Sequence, residues 1–251
     1  MALGKRMRMD YLEVSAVGGE VVATTKPAVC ICTAGFMADI IGMSESSRYR
    51  PFGPFRNDVA GFLALLRNRA HTCDIKYKEY GGGLAQADDC TGASCPHCAT
   101  ATTNTAAAGW KVLRGDFLSV MILNTACKSD KTPHGMNHRV HLGDGSAYLV
   151  WVLISTEVCS LFARPDSHSR YALRSFARCV QKVNPLRYLL FLLCMSLFGL
   201  RKYDRAVVQI IPVVDVEVAG PSAWNVDGEL VQAGTSMRVR VKHRGLPVFG
   251  R

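Results

Sequence analysis

Ser222-Ala-Trp-Asn-Val-Asp-Gly-Glu-Leu230 reads as a β-hairpin. Apolar residues alternate on either side of Asp227-Gly228, and that pair suits a type I′ turn, in which both central residues need positive φ. Asp227 and Glu229 also set two carboxylates close together in a chain of net charge +10. Such a pair can hold a divalent cation or flank bound phosphates, whereas on spacing alone two acids at a turn are more often solvated.

Working outward, Met237-Arg-Val-Arg-Val-Lys242 alternates like a strand, with Met237, Val239 and Val241 on one face and Arg238, Arg240 and Lys242 on the other. The basic face reads as a solvated strand or as a phosphate or membrane contact. Upstream, Ala206 to Ile211 and Val213 to Val218 are β-type runs joined through Pro212, and earlier β-type runs cover Met9 to Val17, Val21 to Thr25, Ala28 to Cys32, Asp74 to Glu79, Trp110 to Leu123 and Arg139 to Ile154. Helical signals are fewer. Asn57 can cap a helix whose apolar Val59, Phe62, Leu63 and Leu66 fall at i, i+3, i+4 and i+7, a stripe that reads as core. Leu186 to Leu200 is a second, more uniformly apolar candidate. The pattern predicts an α+β fold, predominantly β: an antiparallel, sandwich-like domain over residues 1–251 with one or two helices.

A chain of 251 residues with 49% hydrophobic content can build a substantial core. Thirty Lys and Arg against twenty Asp and Glu suit a polyanionic partner, an anionic membrane surface or a phosphorylated ligand. No RNA- or DNA-binding motif accompanies the charge, so nucleic acid ranks last. Ten cysteines without an apolar signal segment at Met-Ala-Leu-Gly-Lys-Arg predict a reducing, cytoplasmic setting. The apolar run from Tyr188 lies between Arg187 and Arg201 and is shorter than the roughly 20 residues a spanning helix needs, so it predicts a buried or interfacial helix and at most peripheral membrane association.

Residues 81–109 shift to Gly, Ala, Thr, Asp and Cys, the composition of a surface insert. Within it, Cys90, Cys95 and Cys98 combine a Cys-x2-Cys knuckle with an upstream thiol, a zinc-ligand spacing that His97 or the distant Cys127 can complete. Three unligated thiols fit the same spacing equally well.

Trp224-Asn-Val-Asp-Gly-Glu229 with the basic strand after it resembles the closing segment of ceramide kinases, within the diacylglycerol and sphingosine kinase superfamily. Further segments resemble that family in order along nearly the whole chain: Met9-Asp10, Gly35-Phe-Met-Ala-Asp39, Ser44-Glu45 with Arg48, Arg56-Asn-Asp58, the Cys-rich insert, Gly115-Asp-Phe-Leu118 and His141-Leu-Gly-Asp-Gly-Ser146. Two departures stand out. Tyr148 occupies a position where the family has Asp, and residues 156–180 form an atypical insertion. Gly143-Asp-Gly145 is not the nucleotide loop, because in these kinases that loop is Gly-Gly-Asp-Gly in a separate N-terminal domain.

The resemblance implies the C-terminal, lipid-binding half of a lipid kinase that phosphorylates ceramide to ceramide 1-phosphate with ATP and Mg, without its N-terminal nucleotide-binding domain. On that basis this chain alone is expected to be inactive; the alternative is a non-catalytic lipid- or protein-binding module. By resemblance Phe36, Asp39 and Ile41 contact the sphingolipid, Arg48 and Arg56 reach the nucleotide phosphates, and Asp227 and Glu229 lie near the metal. Sphingosine kinases place a second acid two residues after the equivalent of Asp39, suited to an ammonium. Ile41 at that position favours neutral ceramide.

Overall fold

Two stretches, Lys111–Leu123 and Ala147–Ser155, contain apolar runs with little alternation, the pattern of strands covered on both faces. A computed structural model describes residues 6–18, 25–81, 109–137, 140, 142–155, 183–201 and 208–249, and in it these two stretches form the middle of one extended sheet. The strands are β1 (Arg6–Val17), β2 (Thr25–Ala28), β3 (Ile31–Gly35), β4 (His71–Glu79), β5 (Lys111–Leu123), β6 (Ala147–Ser155), β7 (Val208–Ala219), β8 (Ala223–Val226), β9 (Glu229–Gln232) and β10 (Ser236–Phe249). The helices are α1 (Phe36–Glu45), α2 (Arg56–Arg67) and α3 (Pro185–Phe198), with a 3-10 segment at Arg50–Phe55 before α2.

The strands run in the order β2-β1-β10-β7-β4-β5-β3-β8-β9, and every pairing among the described strands is antiparallel. β6 pairs with both β5 and β7, so β4, β5, β6 and β7 close into a ring of pairings. The strand alternation then divides the apolar residues between two cores. Val120, Ile122, Leu149 and Trp151 point into one, with Ile75, Val216, Val218 and Trp224. Their neighbours Met121, Leu123, Tyr148, Val150 and Val152 point into the other, which Phe36, Ala64, Leu65, Tyr188, Phe191 and Met195 close from the helices. Tyr148, which replaces an Asp of the resembled family, is thus a core residue, and its strand tolerates the change because that face meets α3 rather than water.

The predominantly β, antiparallel fold expected from the sequence is the one observed, with three α-helices among the described residues rather than one or two. Four local expectations need correction. The run Ala28–Cys32 is not one strand: it bends at Val29 and Cys30, between β2 and β3. Arg139–Ile154 becomes a strand only at Ala147, because residues 142–146 turn around a buried carboxylate. Pro212 does not separate two strands; β7 continues through it and changes partners nearby, pairing with β6 over Val208 to Val213 and with β4 from Val213 onward. Finally, α2 begins at Arg56, so Asn57 lies inside it rather than capping it, and the predicted stripe is only half inward: Val59 and Leu63 are half-buried and Phe62 and Leu66 exposed, whereas Ala60, Ala64 and Leu65 are buried.

Candidate functional site

β3 passes directly into α1 at Gly35, whose φ of 78° is the left-handed region that favours glycine. A Cβ there would lie 2.5 Å from the carbonyl oxygen of Leu118 on β5, so the turn needs glycine both for its φ and for its close approach to the sheet. This turn lays α1 across the sheet beside the β8–β9 hairpin. Residues Asp39, Gly42, Met43 and Ser46 recur at helical spacing on one face of α1 and, with α2 and the hairpin residues Ala223 and Leu230, line a groove of about 790 Å³.

The groove has a cationic wall. Arg48 enters it from the turn after α1, and Arg67 and Arg69 from the end of α2 and the segment leading to β4. Asp39 is the acid lining it. Its Oδ2 lies 3.0 Å from Nε2 of His71, the first residue of β4; because an ionised carboxylate can only accept, the ring nitrogen carries the proton. Both side chains are partly covered, Asp39 at 29% and His71 at 14% exposure, so the bond holds one carboxylate oxygen in a fixed orientation inside the groove. One fixed acceptor in a groove that three arginines also line suits a ligand with a hydroxyl or amide donor next to an anionic group.

Of the residues singled out in the sequence, Asp39 and Arg48 meet here, and the others do not. Phe36 is buried in the helix-side core, edge-on to Tyr188 with ring centroids 4.8 Å apart. Ile41 follows Asp39 by two positions, which on a helix turns it away from the groove-lining face. Arg56 begins α2, exposed and outside the groove lining. Asp227 and Gly228 do form the two-residue hairpin turn, with φ of 49° and 95°. The Asp227 carboxylate, however, accepts backbone N–H groups from Val29, Cys30 and Ile31 at 2.5–2.9 Å. These are the amides exposed where β2 bends into β3, so Asp227 ties the hairpin tip to that bend. Glu229 is ion-paired with Lys26. Cys90, Cys95 and Cys98 lie outside the described residues. Cys127 packs its thiol against the carbonyls of Cys30 and Thr125, and burial pushes that thiol up to about 11. Arg67, Arg69 and His71 were missed by sequence reasoning; their only signal is the cluster Arg67-Asn-Arg-Ala-His71 at a helix end.

Two further segments singled out by resemblance, Met9-Asp10 and the described part of the second, Leu142 to Ser146, meet away from the groove. Asp10 is fully buried and accepts the backbone N–H of Gly145 and of Arg244, each at 2.6 Å, with His243 Nδ1 at 3.2 Å. Its pKa is raised because burial outweighs these bonds. Asp144 caps its own loop by accepting from the N–H and hydroxyl of Ser146, and burial, with Asp10 nearby, raises it to about 6. Asp10 therefore pins the turn that precedes β6 to a bend in β10.

No family model matches the chain. Among curated proteins it is similar to the ceramide kinase of Oryza sativa subsp. japonica, with 24% identity over 190 residues, 60% of this chain and 31% of that protein. It is also similar to the ceramide kinase of Arabidopsis thaliana, with 24% identity over 182 residues, 60% of this chain and 30% of that protein. The matched part thus spans about a third of these relatives, and the resemblance read from the motifs is found again. Solved structures described as diacylglycerol kinases from Bacillus anthracis str. Sterne superpose with TM-scores of 0.49 and 0.41, at 9% and 8% identity, covering 98% of this chain and 58% and 55% of theirs.

Proposed function

We propose that this chain is the lipid-binding part of a ceramide kinase-like lipid kinase, which transfers the terminal phosphate of ATP to the hydroxyl of ceramide. The observation that carries the reading is the groove that Asp39, held by His71, lines together with Arg48, Arg67 and Arg69. In this reading Asp39 accepts a hydrogen bond from the hydroxyl or amide of the lipid headgroup, and Arg48 offers its planar fork to phosphate oxygens at the groove mouth. Arg67 and Arg69 add positive charge where negative charge grows during transfer. ATP would be held jointly with a nucleotide-binding domain, since the 251 residues contain no Gly-Gly-Asp-Gly loop. The guanidinium wall suits the phosphates. Asp227 and Glu229 suit a Mg ion less well, because the first is engaged by three backbone amides and the second by Lys26, and no metal role is assigned to them.

The test is twofold. Purified chain is expected to bind fluorescent short-chain ceramide, and Asp39→Ala to weaken that binding about tenfold through loss of a charge-assisted hydrogen bond. In a radiolabelled-ATP assay with ceramide, sphingosine and diacylglycerol, the chain alone is expected to transfer no phosphate, and full activity of the isolated chain would overturn the shared-site reading. Absence of lipid binding would overturn the lipid assignment itself.

A further inference from the structure

The arginines of the groove are not neutralised by the fold. Among the described residues, Arg48, Arg67 and Arg69 have no carboxylate within ion-pair distance, whereas Arg114, Arg238 and Arg240 each have one. Asp39, which lines the groove with them, is bonded to His71. Three guanidinium groups against one carboxylate leave a surplus of positive charge in a recess of about 790 Å³, and an anion is the ligand that relieves it.

Arg67 is held in place. Its Nη1 reaches from the end of α2 across to α1 and lies 3.4 Å from the thioether sulfur of Met43. A thioether is a weak, uncharged acceptor, so the contact orients the guanidinium and leaves its charge uncompensated. Met43 follows Asp39 by four residues, which on a helix is about one turn, or roughly 6 Å along the same face. The groove thus sets a guanidinium fork about one helical turn from the carboxylate that His71 orients. Arg69 adds a second cation to the lining from the segment that leads to β4.

A phosphate ester spans that interval when the carbon beside its ester carbon bears an amide N–H or a hydroxyl. The phosphate oxygens then meet the arginines and the donor meets Asp39. Ala38, Ala64, Ala223 and Leu230 give the same groove an apolar lining for hydrocarbon attached to such a headgroup. We infer that the groove is a binding site for an already phosphorylated lipid, its phosphate monoester held by Arg67 and Arg69 and its neighbouring amide or hydroxyl donated to Asp39. This rests on the lipid reading above and deepens it by naming the charge of the ligand. The chain holds the phosphorylated headgroup without any nucleotide, and in a complete kinase the same contacts make the product a competitor of the lipid substrate. Asp39 supplies the selectivity. Beside a phosphate its charge is repulsive unless a donor on the ligand meets it, so a phosphate monoester without that donor is disfavoured.

Calorimetric titration of the full chain tests this with soluble probes: short-chain ceramide 1-phosphate, short-chain ceramide, dioctanoyl phosphatidic acid, inorganic phosphate and ATP. Phosphatidic acid carries the phosphate without an amide or hydroxyl donor. Ceramide 1-phosphate is expected to bind at least about tenfold tighter than ceramide, the factor that one charge-assisted hydrogen bond supplies, and tighter than the other three probes. In Arg67→Ala/Arg69→Ala the affinities for ceramide 1-phosphate and ceramide are expected to come within about threefold of each other. Asp39→Ala is expected to weaken ceramide 1-phosphate and to strengthen phosphatidic acid, a change of opposite sign that loss of folding does not produce. Gly42→Leu places its Cβ 3.7 Å from a Leu230 methyl, an ordinary contact, and is expected to fill the recess and weaken every lipid probe at an unchanged Tm. Arg238→Ala, outside the groove lining, is expected to leave the ratio between the two ceramides as it is.

Equal affinity for ceramide and ceramide 1-phosphate overturns the inference and leaves ceramide binding standing. Tighter binding of ATP than of ceramide 1-phosphate, lost in the double arginine variant, overturns it by assigning these arginines to the nucleotide. Inorganic phosphate binding as tightly as ceramide 1-phosphate overturns the lipid part. Binding of ceramide 1-phosphate that depends on Arg67 and Arg69 supports the inference even where ceramide itself does not bind, a result that would overturn only the earlier reading of ceramide as the groove's ligand.

Discussion

Asp227 was conspicuous in the sequence for its charge, yet its carboxylate is occupied in holding three backbone amides of the β2–β3 bend. Asp227→Ala is therefore expected to lower stability by about 1–2 kcal/mol, measured by urea unfolding, because it strands backbone donors at a partly solvated turn. A change in ligand or metal affinity with no loss of stability would contradict the structural role. Asp144 carries a pH signature. Its pKa rises from 3.8 to about 6 on folding, chiefly through burial, so the native state binds the proton more readily than the unfolded chain. The stability tied to this proton is fully present below about pH 4 and is lost as pH rises through about 6. Asp10 is shifted in the same direction and adds to the trend. Asp144→Asn keeps an oxygen for Ser146 but removes the charge. It is expected to flatten the stability profile between about pH 4 and 6 and to raise stability at pH 7 by roughly 1–2 kcal/mol, below the ceiling of about 3 kcal/mol that the shift sets. Thermal melts of both proteins across that range decide the point.

Among the elements, the β3–α1 junction has little freedom. Gly35→Ala puts a Cβ against the Leu118 carbonyl and forces a side chain into the left-handed region, so a loss of about 2–4 kcal/mol is expected by chemical denaturation. Because α1 carries Asp39, the same variant is expected to lose short-chain ceramide binding at temperatures where it is still folded. α2 shows why periodicity finds an element more easily than its inner face. Val59, Phe62, Leu63 and Leu66 satisfy a helical template, and the helix is there, but small Ala60 and Ala64 let it lie close to the core while Phe62 and Leu66 turn outward. A hydrophobic stripe reports affinity for an apolar environment, and it does not distinguish a protein core from any other apolar partner. α3 was legible as a helix that does not span: no described helix is long and apolar enough to cross a membrane. Its Asn184 cap, whose side chain accepts the Arg187 N–H, was not read. Asn184→Ala is expected to cost about 1 kcal/mol and to fray the start of the helix, visible as a small loss of helical circular dichroism.

On the scale of the molecule, the net charge of +10 is distributed in two different ways. The basic face of β10, legible from alternation alone, is internally paired: Arg238 and Arg240 share Asp215, Lys242 pairs with Glu13, and Arg238 also lies over the ring of Trp110. The arginines around the α1–α2 groove gather from separate elements and face a lone acid lining the groove, Asp39. Arg238→Ala is accordingly expected to lower stability, measured by thermal melts, and to leave short-chain ceramide binding at the groove unchanged.

The sequence by itself determined most of the strands, the Asp-Gly turn, the presence of α2 and α3 and the resemblance to ceramide kinases, because each is written in short-range alternation, turn chemistry or contiguous motif. It also placed Asp39 and Arg48 in one segment. Only the tertiary structure decided that Arg67, Arg69 and His71 join them, that Ile41 and Arg56 do not, and that Asp227 serves a bend nearly two hundred residues away in the chain. The physical reason is that a groove is made where a helix, a strand start and a hairpin converge, and convergence depends on the close approach at Gly35 and on how small residues seat α2. Neither has a period in the sequence.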